Sequence, residues 1–197
     1  MEAHTPEHTI YLDLDGVIFP YFKETQPEFQ APVSPESELP RQWLNRFEFY
    51  YPAITQRLGE IATQGVRILP SSSRSFDLFL YYPSVVKDLG GIERTLVIDT
   101  YTPARINLKA EAVLNHWHGL VDQSSEKRGW ERHRSMITTP PNSKPDGSRA
   151  VWIDDHATPK EVLQLLDDPS IKIISPLGTI GLTMSQLDEA ECFLFEV

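Results

Sequence analysis

Apolar residues fall along the chain in five short runs, at Thr9 to Leu14, Val66 to Pro70, Thr95 to Asp99, Ala150 to Asp154 and Ile171 to Ser175. All are rich in β-branched and aliphatic residues, which predicts buried strands. The runs are continuous rather than alternating, as in strands covered on both faces. Helical spacing in the segments between them predicts a three-layer α/β/α fold on a mostly parallel five-stranded sheet. No internal repeat interrupts this reading, so residues 1–197 form a single domain.

The helices are read from their period. Ile54, Leu58, Ile61 and Ala62 fall at i, i+4, i+7 and i+8, and Gly65 follows as a stop. Ala110, Val113, Leu114 and Trp117 repeat the spacing and end at Gly119. Thr158-Pro159-Lys160-Glu161 has the layout of a capping box, with Val162, Leu165 and Leu166 as the buried stripe behind it. A last helix starts near Thr183 or Ser185 and buries Leu187, Ala190 and Leu194.

Two stretches do not fit a compact βα repeat. Pro20, Pro27, Pro32, Pro35 and Pro40 exclude a regular helix through most of residues 20–40 and predict an extended excursion directly after the first strand, where an active-site cover would sit. Residues 123–149 carry Lys127, Arg128, Arg132, Arg134, Lys144 and Arg149 against Glu126, Glu131 and Asp146, a local +3 in a protein of formal charge −10. The favoured reading is a solvated loop with a short helix around Trp130, and the other is a substrate-facing patch.

Composition narrows the function classes. An overall acidic balance opposes a broad nucleic-acid surface, which needs clustered cations. Cys192 is the single cysteine, so an intramolecular disulfide and a Cys-based zinc site both drop out, and a reducing cytoplasm is the simplest compartment. Met1 to Thr9 lacks the basic stretch and apolar core of a secretory signal. The run Val17 to Phe22 is too short for a membrane span and is broken by Pro20. Nothing in the pattern specifies an oligomeric state.

The chemistry concentrates at strand ends. The first strand finishes Tyr11-Leu12-Asp13-Leu14-Asp15-Gly16-Val17, two carboxylates two residues apart at a carboxyl end, where open α/β sheets bind ligands. An Asp-x-Asp-Gly string arises by chance in a chain of this composition only about 0.04 times. As turn formers or caps the two acids would repel one another unless a cation or shared proton relieved them. Val151-Trp152-Ile153-Asp154-Asp155 repeats the theme at the fourth strand, and two acidic strand ends side by side suit Mg²⁺. Alone, an Asp-Asp pair before a helix is more often a cap. Leu69-Pro70-Ser71-Ser72-Ser73-Arg74 offers hydroxyls and amides for either a phosphate cradle or a helix cap. Lys109 opens a helix, where a cation opposes the dipole unless an anion lies nearby; the plain alternative is a solvated lysine. His116, His118 and Asp99 read as surface or turn residues, and His156 as a loop residue. Phe76, Phe79, Tyr81 and Tyr82 read as a helix packing on the sheet.

In this order, Asp13-Leu14-Asp15-Gly16-Val17, Ser71, Lys109 and Asp154-Asp155 resemble the four motifs of the haloacid dehalogenase superfamily of phosphohydrolases. The resemblance runs from about Thr9 to the last helix. The tail from Ser175 to Thr183 is similar to that of a small branch of such proteins in bacteria and phages, some fused to RNA-repair enzymes. The resemblance implies Mg²⁺-dependent phosphomonoester hydrolysis through an aspartyl-phosphate, with Asp13 as nucleophile and Asp15 as general acid and then base. It implies a metal held by the Asp13 carboxylate, the Asp15 backbone carbonyl and Asp154, with Asp155 binding directly or through water. Ser71 would hydrogen-bond a phosphoryl oxygen, and Lys109 would neutralise another while steadying Asp13.

Some features depart from that pattern. Three serines follow Pro70, so Ser72 is a second candidate for the hydroxyl. A proline-rich insertion at about 19–44 is too short for an independent cap domain, which leaves an open site able to admit a nucleic-acid terminus or a phosphoprotein as well as small esters. Two other functions stand beside the phosphatase. One is nucleotide or polynucleotide end processing, supported locally by Arg128 to Arg134. The other is a catalytically weak binding or regulatory module on the same fold, which would not need both Asp13 and Asp15.

Overall fold

Four of the five apolar runs form strands in the structure, a computed structural model that describes residues 7–21, 50–72, 83–89, 106–118, 146–157 and 167–195. They are β1 (Thr9–Leu12), β2 (Arg67–Pro70), β3 (Ala150–Ile153) and β4 (Ile171–Ile174). All pair in parallel, in the order β2-β1-β3-β4. The run at Thr95 to Asp99, the helix expected from Thr158, the aromatic cluster from Phe76 to Tyr82 and most of the two irregular stretches lie outside the described residues.

β1 is shorter than its apolar run for a local reason. Asp13 N–H still donates to the Ile153 carbonyl at 2.9 Å, but the Leu14 carbonyl then accepts from the amides of Ile18 and Phe19, both at 2.9 Å. That turn diverts the chain before Leu14 can extend the ladder. Pro70 sits at the last position of β2, opposite Leu12, where a missing N–H costs least, and the next amide, Ser71, donates to the Leu12 carbonyl at 2.8 Å.

Helices cover both faces of the sheet, because alternate strand residues point to opposite sides. On one face Ile10, Leu12, Ile68, Val151, Ile153 and Ile174 pack with Ile54, Leu58 and Ile61 of α1 (Pro52–Thr63) and with Leu187, Ala190 and Leu194 of α4 (Met184–Phe195). Val85, from α2 (Pro83–Asp88), joins the same cluster. On the other face Tyr11, Leu69, Ala150 and Trp152 meet Ala110, Val113 and Trp117 of α3 (Ile106–Trp117). The architecture is therefore α/β with a parallel sheet buried on both sides, as the continuous apolar runs require.

The helix ends follow their sequence signals. Pro52 occupies the first turn of α1, and Gly65 just past its end takes φ 91°. α4 is capped by Thr183. Its hydroxyl oxygen accepts from the Gln186 amide at 3.3 Å, while the Gln186 side chain accepts from the Thr183 amide at 3.1 Å. α3 begins three residues before Lys109, so Lys109 completes its first turn rather than opening it. No helix among the described residues is long and apolar enough to cross a membrane. Cys192 is exposed and unpaired.

Candidate active site

From β1 the chain proceeds to β2 on one side of the sheet, and β3 joins on the other. The carboxyl ends of β1 and β3 thus form a topological switch point, the place where open α/β sheets bind ligands. Leu12 pairs with Ile153, so Asp13 and Asp154 are the first residues beyond two adjacent strands. The sequence could place an acid at each strand end. Only the strand order makes them neighbours.

Lys109 joins the two acids. Its Nζ donates to Asp13 Oδ2 at 2.5 Å and to Asp154 Oδ2 at 2.8 Å. Both carboxylates are buried, at 4% and 1% residue exposure. The second oxygen of each is also held. Asp13 Oδ1 accepts from the Leu14 amide at 2.8 Å, and Asp154 Oδ1 accepts from the His156 amide at 2.9 Å. The cation in the first turn of α3, unfavourable to the helix dipole, is thereby offset by two anions.

One ammonium does not neutralise this cluster. Burial raises the Asp13 carboxyl to about 6, with Asp154 pushing the same way and Lys109 and the Leu14 amide opposing. Burial likewise raises Asp155, against the pull of His156. Lys109 itself is raised, because the two carboxylates outweigh the desolvation that would lower it.

The remaining expected residues lie on the segments that leave β1, β2 and β3. Asp15 is half-buried on the turn after β1, where Gly16, at φ 72°, donates its amide to the Phe19 carbonyl at 2.8 Å. Asp155 follows Asp154, and its side chain is only 5% exposed. Ser71 leaves β2 beside β1 and is fully buried, with a hydroxyl that has no hydrogen-bond partner among the described residues. Ser72 is also buried. A buried, unpartnered hydroxyl costs free energy and is a natural donor for an incoming ligand oxygen. The basic residues Arg128, Arg132 and Arg134 lie outside the described residues.

His156 was readable only as a loop residue. Its ring Nδ1 lies 2.8 Å from Asp155 Oδ1. Adjacency to Asp155 was the only available signal, since nothing in sequence distinguishes a histidine turned toward its neighbour from one turned to solvent. His116 also departs from a plain surface reading, with Nδ1 2.8 Å from the hydroxyl of buried Tyr11.

The donor set fits a hard cation. Asp13 and Asp154 share the Lys109 ammonium, Asp155 follows Asp154 directly, and carboxylate oxygens are the ligands Mg²⁺ prefers. Asp154, Asp155 and His156 offer ligand atoms within 4.8 Å of one another. Compared with protein-family models and with curated proteins, the chain matches none.

Proposed function

We propose that the protein is a Mg²⁺-dependent phosphomonoester hydrolase of haloacid dehalogenase type, working through an aspartyl-phosphate. The observation that carries this reading is Lys109 bridging Asp13 and Asp154 at the switch point. It supports the reading because one buried ammonium meets two carboxylates there, the combination that a nucleophilic acid, a cation for phosphoryl oxygens and a further oxygen ligand would require. The motif order Asp13-x-Asp15-Gly16, Ser71, Lys109, Asp154-Asp155 supports it independently.

In this mechanism the ionised Asp13 carboxylate attacks phosphorus in line. The ester P–O bond breaks as Asp15 donates its proton to the departing oxygen. Asp15, now a carboxylate, takes a proton from water as that water attacks the phosphoryl group, releasing inorganic phosphate and restoring Asp13. An Asp13 carboxyl near 6 remains mostly ionised at neutral pH. Lys109 balances charge gathering on the phosphoryl oxygens and holds Asp13 in place. Ser71, or its neighbour Ser72, donates to another of those oxygens. Mg²⁺ would be held by the Asp13 carboxylate, the Asp15 backbone carbonyl and Asp154, with Asp155 acting directly or through water. It would offset repulsion between carboxylates and phosphate.

The test is phosphate release from sugar phosphates, nucleotides and end-phosphorylated oligonucleotides, in Mg²⁺ or EDTA. Asp13→Asn and Asp15→Asn are each expected to abolish metal-dependent release while the protein stays folded. Turnover retained in Asp13→Asn would exclude the aspartyl-phosphate route.

A further inference from the structure

Asp155 is an acid on a loop with its side chain buried, and its surroundings explain why. Its Oδ2 lies against the Cα positions of two glycines from different turns. A Cβ on Gly16 would come 2.2 Å from Oδ2, and one on Gly178 would come 2.5 Å from it. The Tyr21 ring closes the same slot, 2.9 Å from the first of these positions and 3.1 Å from the second. Gly16 also needs its positive φ, whereas Gly178 has no such requirement. Space for Asp155 and Tyr21 is the reason a side chain is missing at 178.

The two turns are tied through the same place. The Tyr21 amide donates to the Gly178 carbonyl at 2.8 Å, and the Leu182 amide donates to the Val17 carbonyl at 2.9 Å. Asp155 is thus a wedge between the turn that carries Asp15 and the turn that follows β4. Its other oxygen, Oδ1, lies 2.8 Å from His156 Nδ1, which donates to it in the Nδ1–H tautomer. His156 is itself anchored by its amide on Asp154 Oδ1.

The geometry points to His156 as a positioning residue: its ring orients the Asp155 carboxylate, and Asp155 sets the Gly16 turn and with it Asp15. This role rests on the phosphohydrolase reading, in which Asp15 transfers the proton. Hydrogen-bond partners standing behind site residues commonly change activity by about 10- to 100-fold when lost.

The experiment compares His156→Ala, His156→Gln and His156→Asn with wild type. The amide of Asn reaches the position of Nδ1, whereas that of Gln reaches the position of Nε2. Two readouts are taken, kcat and KM for phosphate release in Mg²⁺, and backbone amide shifts of Asp15, Gly16 and Gly178 by NMR in metal-free buffer. His156→Ala and His156→Gln are expected to lower kcat by about 10-fold with little change in KM, and to move those amides. His156→Asn should stay close to wild type in both, which also controls for loss of the ring. Gly178→Ala, which displaces Asp155 from the other side, should move the Asp15 and Gly16 amides in the same way. Wild-type amides in His156→Ala, or Gln serving as well as Asn, would overturn the assignment. A folded wild type that releases no phosphate across the panel would instead overturn the phosphohydrolase reading, with the amide shifts still deciding whether His156 sets the turn.

Discussion

At the scale of the residue, Asp13 carries the clearest tension between function and stability. Its carboxyl is raised in the folded chain to about 6, from an ordinary 3.8, mainly because it is buried. The folded state therefore holds the proton more tightly than the unfolded one, so stability falls as pH rises from about 4 to about 6 and the loss is complete above that window. Asp155 is raised in the same direction, while the raised Lys109 titrates far above this range and does not alter the sign. Asp13→Asn removes the buried charge, and Lys109 keeps Asp154 as a partner. The variant is expected to lose the downward slope between pH 4 and 6 and to gain on the order of 2 kcal/mol over wild type at pH 7. Urea unfolding in EDTA at pH 4, 5, 6 and 7 measures this, and a wild-type slope in the variant would place the cost elsewhere. The residue that weakens the fold is the one assigned to attack phosphorus.

Among elements, α1 shows how a close approach overrides local propensity. Gly59 lies in the middle of a twelve-residue helix, where glycine ordinarily costs about 1 kcal/mol relative to alanine. A Cβ there would come 1.9 Å from the Asp88 carbonyl at the end of α2. Thr55 makes the same contact region polar, donating its hydroxyl to Asp88 Oδ2 at 2.9 Å. Gly59→Ala is thus expected to destabilise by about 1–3 kcal/mol, because the helices must part to admit the methyl group. A gain in the urea midpoint would show that α2 yields without cost. The capping box at Thr183 and Gln186 tells the opposite story. It is local, so the chain signals near Thr183 where α4 starts, and the structure keeps it there.

For the whole molecule, the relevant quantity is charge. A chain of net −10 brings Asp13 and Asp154 together on one lysine, with Asp155 next in sequence, an arrangement that a bound cation would relieve. Mg²⁺ at ten times its dissociation constant is expected to raise unfolding stability by about 1.4 kcal/mol. Asp154→Asn should lose that increment. NaCl at matched ionic strength is the control, since screening alone also favours a strongly acidic protein. Equal gains from NaCl and MgCl₂, or an undiminished gain in Asp154→Asn, would remove the metal from this site.

Among the described residues, the chain by itself determined the four strands, the helices α1, α3 and α4, and its chemically distinctive residues. Continuous apolar runs mark strands buried on both faces, and i, i+4 spacing marks helices that cover them. Asp13-x-Asp15-Gly16 is legible because acids directly after a buried strand are costly without a purpose. These signals are local, carried by neighbours within one or two turns of chain. Only the tertiary structure decided that β1 lies between β2 and β3, and hence that Asp13, Ser71 and Asp154 stand at adjacent strand ends. It also decided that Lys109 reaches both acids, that His156 turns toward Asp155, and that Gly178 is small because Asp155 and Tyr21 fill the space beside it. The first depends on parallel pairing between segments far apart in sequence and the others on packing around the strand ends it brings together, and a residue's type does not record which distant segment lies beside it.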